Sequence, residues 1–201
     1  MGLLLIAKVE SNLKARFGED LNGKALSVFG ATGPVGGCAA IIAAKQGANV
    51  QLVAHNSLAR VEAKAQFWNS EYQISLQTVD GSSDAKKIEI LAQSDIAICA
   101  AAAGVQVLSL ELLTQAKRLK IAADVNAVAP NGVQGVEVNH DGVQVAGTEI
   151  YGIGALAIGQ LKYATQHQLL KQMLPVDQEK PKYLEFMAAF NLARELSKNP
   201  S

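Results

Sequence analysis

Apolar and polar positions along the chain follow two alternating patterns. Five short runs are dominated by Val, Ile, Leu and Ala: Ala25 to Phe29, Asn49 to Ala54, Ile74 to Val79, Asp95 to Ala100 and Ile121 to Val125. They are too brief for helices, and most are β-branched or Ala-rich runs rather than alternating ones, which predicts strands buried on both faces. The stretches between them, Pro34 to Gln46, Ser57 to about Trp68, Ser83 to Ala92 and Ser109 to Arg118, predict helices. Ser57 stands where an N-cap belongs, and Gly47 ends its helix as a C-terminal glycine does. Strand–helix alternation with short loops predicts an α/β fold of Rossmann type, a doubly wound and mainly parallel sheet.

Both ends depart from that rhythm. Residues 3–17 read as a helix closed by Gly18, and residues 22–174 as the nucleotide-binding domain. Within it, Gly135 to Val138 and Val143 to Ala146 read as short strands joined by a turn at Asp141-Gly142. Tyr151 to Met173 opens with glycines and becomes helical. Pro175 and Pro181 bracket a linker ahead of a last helix, about Lys182 to Ser197, whose Leu184, Met187, Ala188, Phe190, Leu192 and Leu196 crowd one face. The chain thus divides at 1–21, 22–174 and 175–201. The flanking N- and C-terminal helices are expected to form a small second layer or a contact surface for another chain.

Composition narrows the function. The 201 residues suit one large domain. Lys plus Arg and Asp plus Glu number 18 each, so no cationic surplus exists for a nucleic-acid surface. With 49% hydrophobic residues the chain can bury enough surface to offset its ordering entropy, which excludes disorder. No apolar run reaches the roughly 20 residues of a membrane span. Leu3 to Ala7 is too short for a secretory signal. Cys38 and Cys99, far apart in apolar stretches, read as reduced thiols, and the protein as cytosolic.

The strongest chemical signal is Gly30-Ala31-Thr32-Gly33-Pro34-Val35-Gly36, placed directly after a strand and before a helix. Gly30 allows the tight turn, Gly33 lets backbone approach a diphosphate, and Gly36 lets the helix lie close to the strands. Phosphates then rest on the helix N-terminus, with Thr32, Pro34 and Val35 around them, and Pro34 needs no intrahelical N–H at its position. An NAD site carries Asp or Glu at the end of the second strand. Here His55, Asn56 and Ser57 follow that strand, with Arg60 a turn later, which favours NADP over NAD.

Further candidates sit after later strands. Ala100 to Gly104, including Ala101 and Ala102, is small enough for a cofactor ribose to rest on backbone. Asp124 and Asn126 follow the fifth strand, Asp124 as a site carboxylate or equally as a helix-cap or turn carboxylate. Gly152, Gly154 and Gly159 point to close approach of backbone to a ligand or another element, or to tight helix-on-sheet packing. Gly18 to Lys24 spells a P-loop pattern, but Ala25 replaces the Ser or Thr and the segment precedes a strand. No Tyr has a Lys four residues on, as a short-chain dehydrogenase requires, and His55, His140 and His167 lack metal-ligand spacing.

Three segments together resemble the NADP-dependent methylene-tetrahydromethanopterin dehydrogenase family, whose relatives also use methylene-tetrahydrofolate. They are Gly-x-x-Gly-Pro-Val-Gly at 30–36, Ala-Asp-x-Asn-Ala at 123–127 with Pro130 and Gly132 after it, and Gly-Ala-Leu-x-Ile-Gly-x-Leu-Lys at 154–162. The resemblance extends over roughly residues 22–197. It implies NADP as cofactor and hydride transfer from the methylene carbon of a reduced pterin, of tetrahydromethanopterin or tetrahydrofolate type, with Asp124 and Lys162 as catalytic candidates. Asp124 would set a favourable negative potential; Lys162 would orient substrate carbonyl or carboxylate groups. Family enzymes carry a further N-terminal domain of about a hundred residues, a small-domain size. The chain is therefore expected to be a fragment, or a short homologue that recruits a separate pterin-domain subunit or another substrate, and a homo-oligomer is favoured. Two other readings stay open: a dehydrogenase of a small hydroxy acid on the same nucleotide domain, and a non-catalytic NADP-binding module.

Overall fold

A computed structural model describes residues 1–173 and 186–198. The elements are α1 (Gly2–Phe17), β1 (Ala25–Phe29), α2 (Pro34–Lys45), β2 (Asn49–Ala54), α3 (Leu58–Tyr72), β3 (Leu76–Asp80), α4 (Asp84–Gln93), β4 (Ile96–Cys99), α5 (Leu110–Gln115), β5 (Ile121–Asp124), β6 (Asp141–Gln144), β7 (Tyr151–Ile153), α6 (Ala155–Met173) and α7 (Phe186–Lys198). Of the expected final helix and linker, residues 174–185, Leu184 among them, lie outside the described residues. Among the described residues no helix is long and apolar enough to cross a membrane.

The seven strands form one sheet in the order β3-β2-β1-β4-β5-β7-β6. Every pairing is parallel except β6 with β7. This is the doubly wound arrangement expected from the strand–helix rhythm, and it reverses direction between β1 and β4. Side chains alternate across it as a pleat requires. Leu26, Val28, Ile96, Ile98, Ile121 and Ala123 enter a core shared with α1, α2, α6 and α7. On the opposite face Phe29, Ala97, Cys99 and Ala122 meet α4 and α5. Serines end the loops before three helices: Ser57, Ser83 and Ser109 each accept a hydrogen bond from the backbone N–H three residues on.

Helix α1 belongs to the first of these cores. Leu5, Ile6 and Leu13 are fully buried, each burial contributing about 2 kcal/mol, and the helix packs on α2, α6 and α7. Its polar flank reaches the far edge of the sheet. Lys8 and Asn12 both donate to Asp141, and the Arg16 guanidinium lies 4.3 Å from the Tyr151 ring centroid.

Two readings of the last part of the sheet need correction. Gly135 to Val138 is not a strand, and Asp141-Gly142 is not a turn. Asp141 opens β6, whose partner is β7, with a register irregularity between Asp141 and Val143. The strand β7 hides in the glycine-rich start of the predicted helix because it spans three residues and carries Gly152. Gly152 and Gly154 lie close to another segment rather than in helix-on-sheet packing: a Cβ on Gly152 would lie 3.0 Å from Val136, and one on Gly154 would enter the backbone of Glu137 and Val138. Gly159 has nothing within 4 Å of its Cβ direction.

Candidate nucleotide and hydride-transfer site

Strand β1 ends at the reversal point, and the chain must turn sharply to start α2. Gly30 makes that turn with φ +79°, a backbone region that L side chains rarely occupy. A Cβ there would lie 2.5 Å from Ala101 N and closer still to the Ala100 carbonyl. The loops after β1 and β4 are thus in contact through a missing side chain. Gly36, in the first turn of α2, is pressed the same way, its Cβ direction meeting Gly30 O at 2.6 Å.

Gly33 differs from both. It is the N-cap of α2 with φ −77° and ψ 163°, no side chain caps the helix, and Pro34 follows. The nearest atom to its Cβ direction is Gly30 O at 3.5 Å. The first turn of α2 therefore ends in unfilled space with N–H groups lacking intrahelical partners, the form of a site for negative charge. This cradle, which one methyl group would obstruct, fits the diphosphate of a dinucleotide.

Beside it a cleft of about 400 Å³ opens over the carboxyl ends of β1, β2 and β4. It brings together Gly30, His55, Asn56, Ala101 and Ala102 from the expected set. Thr32, Gly33 and Pro34 instead line the adjoining groove between α2 and α3, where Trp68 packs over Gly37. Val35 stands in the first turn of α2. Ser57 spends its hydroxyl on the Arg60 N–H as the α3 cap. The exposed Arg60 side chain lines neither cavity.

The sequence reading missed the far wall of the cleft: Gly81, Lys87 and Val105 to Val107. Gly81 was visible as a glycine just after the third strand, and a Cβ on it would run into Val53. Lys87 had no sequence signal, since only the fold turns the first part of α4 toward β2.

Asp124 ends β5 and is 1% exposed. Its Oδ1 accepts from Asn126 N at 2.9 Å and its Oδ2 from Val133 N at 3.0 Å. Burial pushes this carboxyl above the usual carboxylate range, and the N–H groups of Asn126, Val133 and Gly132 offset only part of that. Asn126 continues the arrangement, donating to Pro130 O and accepting from Val128 N. The loop so held reaches the cleft: Gly132 O accepts from the N–H groups of Val107 and Leu108. Gly104, at φ +73°, faces Ala129 O across the two loops at 3.8 Å. Both oxygens of Asp124 thus do the work of a turn carboxylate. Lys162 is exposed two turns into α6 and forms no ion pair among the described residues.

Cys99 lies beneath this loop. Burial, with Asp124 nearby, pushes its thiol up to about 12. Both cysteines are free, as expected. No cluster of potential metal ligands occurs among the described residues.

No known protein-family model matches the chain. In fold it is similar to shikimate 5-dehydrogenase from Listeria monocytogenes, solved with shikimate and NAD: TM-score 0.56, 19% identity, 81% of this chain and 55% of that one. Quinate dehydrogenase from Corynebacterium glutamicum, solved with NAD, gives a TM-score of 0.55 at 15% identity over 94% and 60% of the two chains. The sequence is 38% identical, over 98% of its length, to the NAD(P)-dependent methylenetetrahydromethanopterin dehydrogenase of Methylorubrum extorquens, of which it spans 65%. That alignment spans all three segments of the expected resemblance, and the chain is similar to the methylenetetrahydromethanopterin dehydrogenases over nearly its whole length while spanning less than two thirds of that relative.

Proposed function

We propose that this chain is the nucleotide-binding portion, centred on residues 22–174, of an NADP-dependent dehydrogenase that oxidises a methylene-pterin to the methenyl product. The observation that carries the reading is the α2 cradle: Gly30 and Gly36 packed against backbone, and Gly33 open beside the cleft. The relative's NAD(P)-dependent activity on methylenetetrahydromethanopterin supports the substrate class. NADP rather than NAD rests on the end of β2, where His55 and Asn56 line the cleft and no carboxylate stands to repel a 2′-phosphate.

When bound, the nicotinamide supplies the hydride acceptor. The chain's own part is to bind and orient. The N–H groups at the start of α2 hold the diphosphate, and Ala101 and Ala102 give a wall without bulk along the cleft. Hydride transfer from a methylene carbon between two nitrogens moves no proton, so no general acid or base is required. Rate then comes from placing the donor carbon at near-attack distance. Asp124 contributes by fixing the 124–134 loop, and its buried charge adds a negative potential toward the forming cation. In this reading Lys162 orients polar groups of the pterin, and the rest of the pterin site comes from outside these residues.

The sole tryptophan, Trp68, lines the groove shared with Thr32, Gly33 and Pro34, so its fluorescence reports nucleotide binding directly. Quenching by NADPH at lower concentration than by NADH, and NADPH formation from NADP with a methylene-pterin once the segment that completes the pterin site is present, are the expected results. Binding without turnover on any methylene-pterin would leave a nucleotide-binding module. Turnover with a small hydroxy acid would replace the pterin assignment.

A further inference from the structure

The cleft over β2 holds one cation that the nucleotide motif does not account for. Lys87 sits in the first part of α4, its side chain 14% exposed, and lines the cleft opposite His55 and Asn56. Its ammonium donates to Asp84 Oδ1 at 3.0 Å and to Val107 O at 3.1 Å. An ammonium has three protons, and these two acceptors leave one for the cavity. The surrounding wall is apolar: Phe29, Val53, Val105 and Val107. Asp84 and Val107 O offset part of the cost of burying this cation among valines, and a further acceptor would offset more.

The position of the diphosphate cradle decides which part of a dinucleotide comes here. With diphosphate at the start of α2 and ribose at the end of β2, the base extends past β2 toward β3 and the loop after β4. Those are the segments that carry Gly81 and Val105 to Val107. Gly81 presents backbone at this end, since a Cβ there would collide with Val53.

We propose that Lys87 is a specificity residue for the adenine ring: it donates to a ring nitrogen of the base while its bond to Val107 O sets the width of the slot. The inference rests on the nucleotide reading above and goes beyond it, because a cation for the 2′-phosphate would select NADP over NAD. A cation on the base serves both equally.

The test is a Trp68 fluorescence titration of wild-type, Lys87→Met and Lys87→Arg proteins with NADPH, NADH and adenosine 2′,5′-bisphosphate, with melting temperatures measured alongside. A hydrogen bond from a charged group to a buried partner corresponds to about tenfold in affinity. Lys87→Met is expected to weaken all three ligands about tenfold, leave the NADPH-to-NADH ratio unchanged and melt within a few degrees of wild type; Lys87→Arg is expected to regain most of the affinity. Unchanged affinity in Lys87→Met overturns the assignment. So does a loss confined to NADPH and the bisphosphate, which would make Lys87 a 2′-phosphate ligand. If Lys87→Met melts early, failure of Lys87→Arg to bind while melting normally overturns it. A wild-type protein that binds none of the three ligands refutes the nucleotide reading itself, whatever the variants do.

Discussion

Two glycines of one turn should respond to alanine in opposite ways. At Gly30 the backbone has φ +79°, and the new Cβ would meet the Ala100 carbonyl and Ala101 N, which are backbone and held in β4's continuation by the Ala100 N–H bond to Phe29 O. The left-handed conformation costs an alanine about 1 kcal/mol. Forcing two strand ends apart adds about 1–3 kcal/mol. Gly30→Ala is therefore expected to lose about 3 kcal/mol, a fall of about 6–12 °C in melting temperature for a chain of this length.

At Gly33 the backbone is extended and the nearest atom lies at 3.5 Å, so Gly33→Ala should stay within about 1 kcal/mol of wild type. Its methyl group, however, stands where the diphosphate must approach the α2 amides. Affinity for NADPH is expected to fall at least tenfold, about 1.4 kcal/mol. Calorimetric melting and Trp68 quenching separate the two quantities. A Gly30→Ala protein that melts with wild type would refute the packing argument, and a Gly33→Ala protein that binds NADPH normally would refute the cradle.

Other consequences follow from single groups. Asp124→Asn replaces one acceptor by a donor that faces a backbone N–H, a cost of about 1–3 kcal/mol; melting should fall by several degrees, and NADPH affinity with it, because the Gly132 bonds to Val107 and Leu108 hang on the same loop. Equal stability and affinity in that variant would show that the loop does not depend on the carboxylate. Bonds from Lys86 and Ser82 hold the Asp80 carboxyl at about 2, below its usual 3.8. Its contribution to stability is thus present above pH 3.8 and lost as pH falls toward 2. Carboxyl NMR titration should show this, with the value returning toward 3.8 in Lys86→Met. Cys99, 1% exposed with its thiol near 12, should not react with a disulfide reagent at pH 8 in native Cys38→Ser protein and should react fully once unfolded. Rapid native reaction would contradict its burial.

What was legible in the sequence was legible because local and global demands coincide. Strands β1, β2, β4 and β5 are covered on both faces, so nearly every residue is apolar and their bounds match the apolar runs to within a residue or so. Serines that cap α3, α4 and α5 mark those starts through local hydrogen bonds. The glycine turn was readable for the same reason: Gly30 and Gly36 answer nearby backbone constraints, and Gly33 stands at the helix start between them. The far edge was not readable. Asp141 enters a strand by pairing with β7, and its carboxylate is held by Lys8 and Asn12, about 130 residues earlier; no local pattern encodes those partners. An Asp-Gly pair between apolar residues is a turn signal in isolation. Tyr151–Ile153 pairs with β5 over three residues, too few to show a period. Lys87 was invisible on the same grounds, since it joins the cleft through the packing of α4, and for Asp124 the sequence offered the turn role without choosing it, because one of its partners lies nine residues away.

The account turns on where the diphosphate of a bound dinucleotide rests. A crystal structure of the protein with NADP should place it within hydrogen-bond distance, about 2.7–3.2 Å, of the N–H groups of the α2 first turn, Val35 and Gly36. A dinucleotide found elsewhere, with those amides facing only solvent, would contradict it.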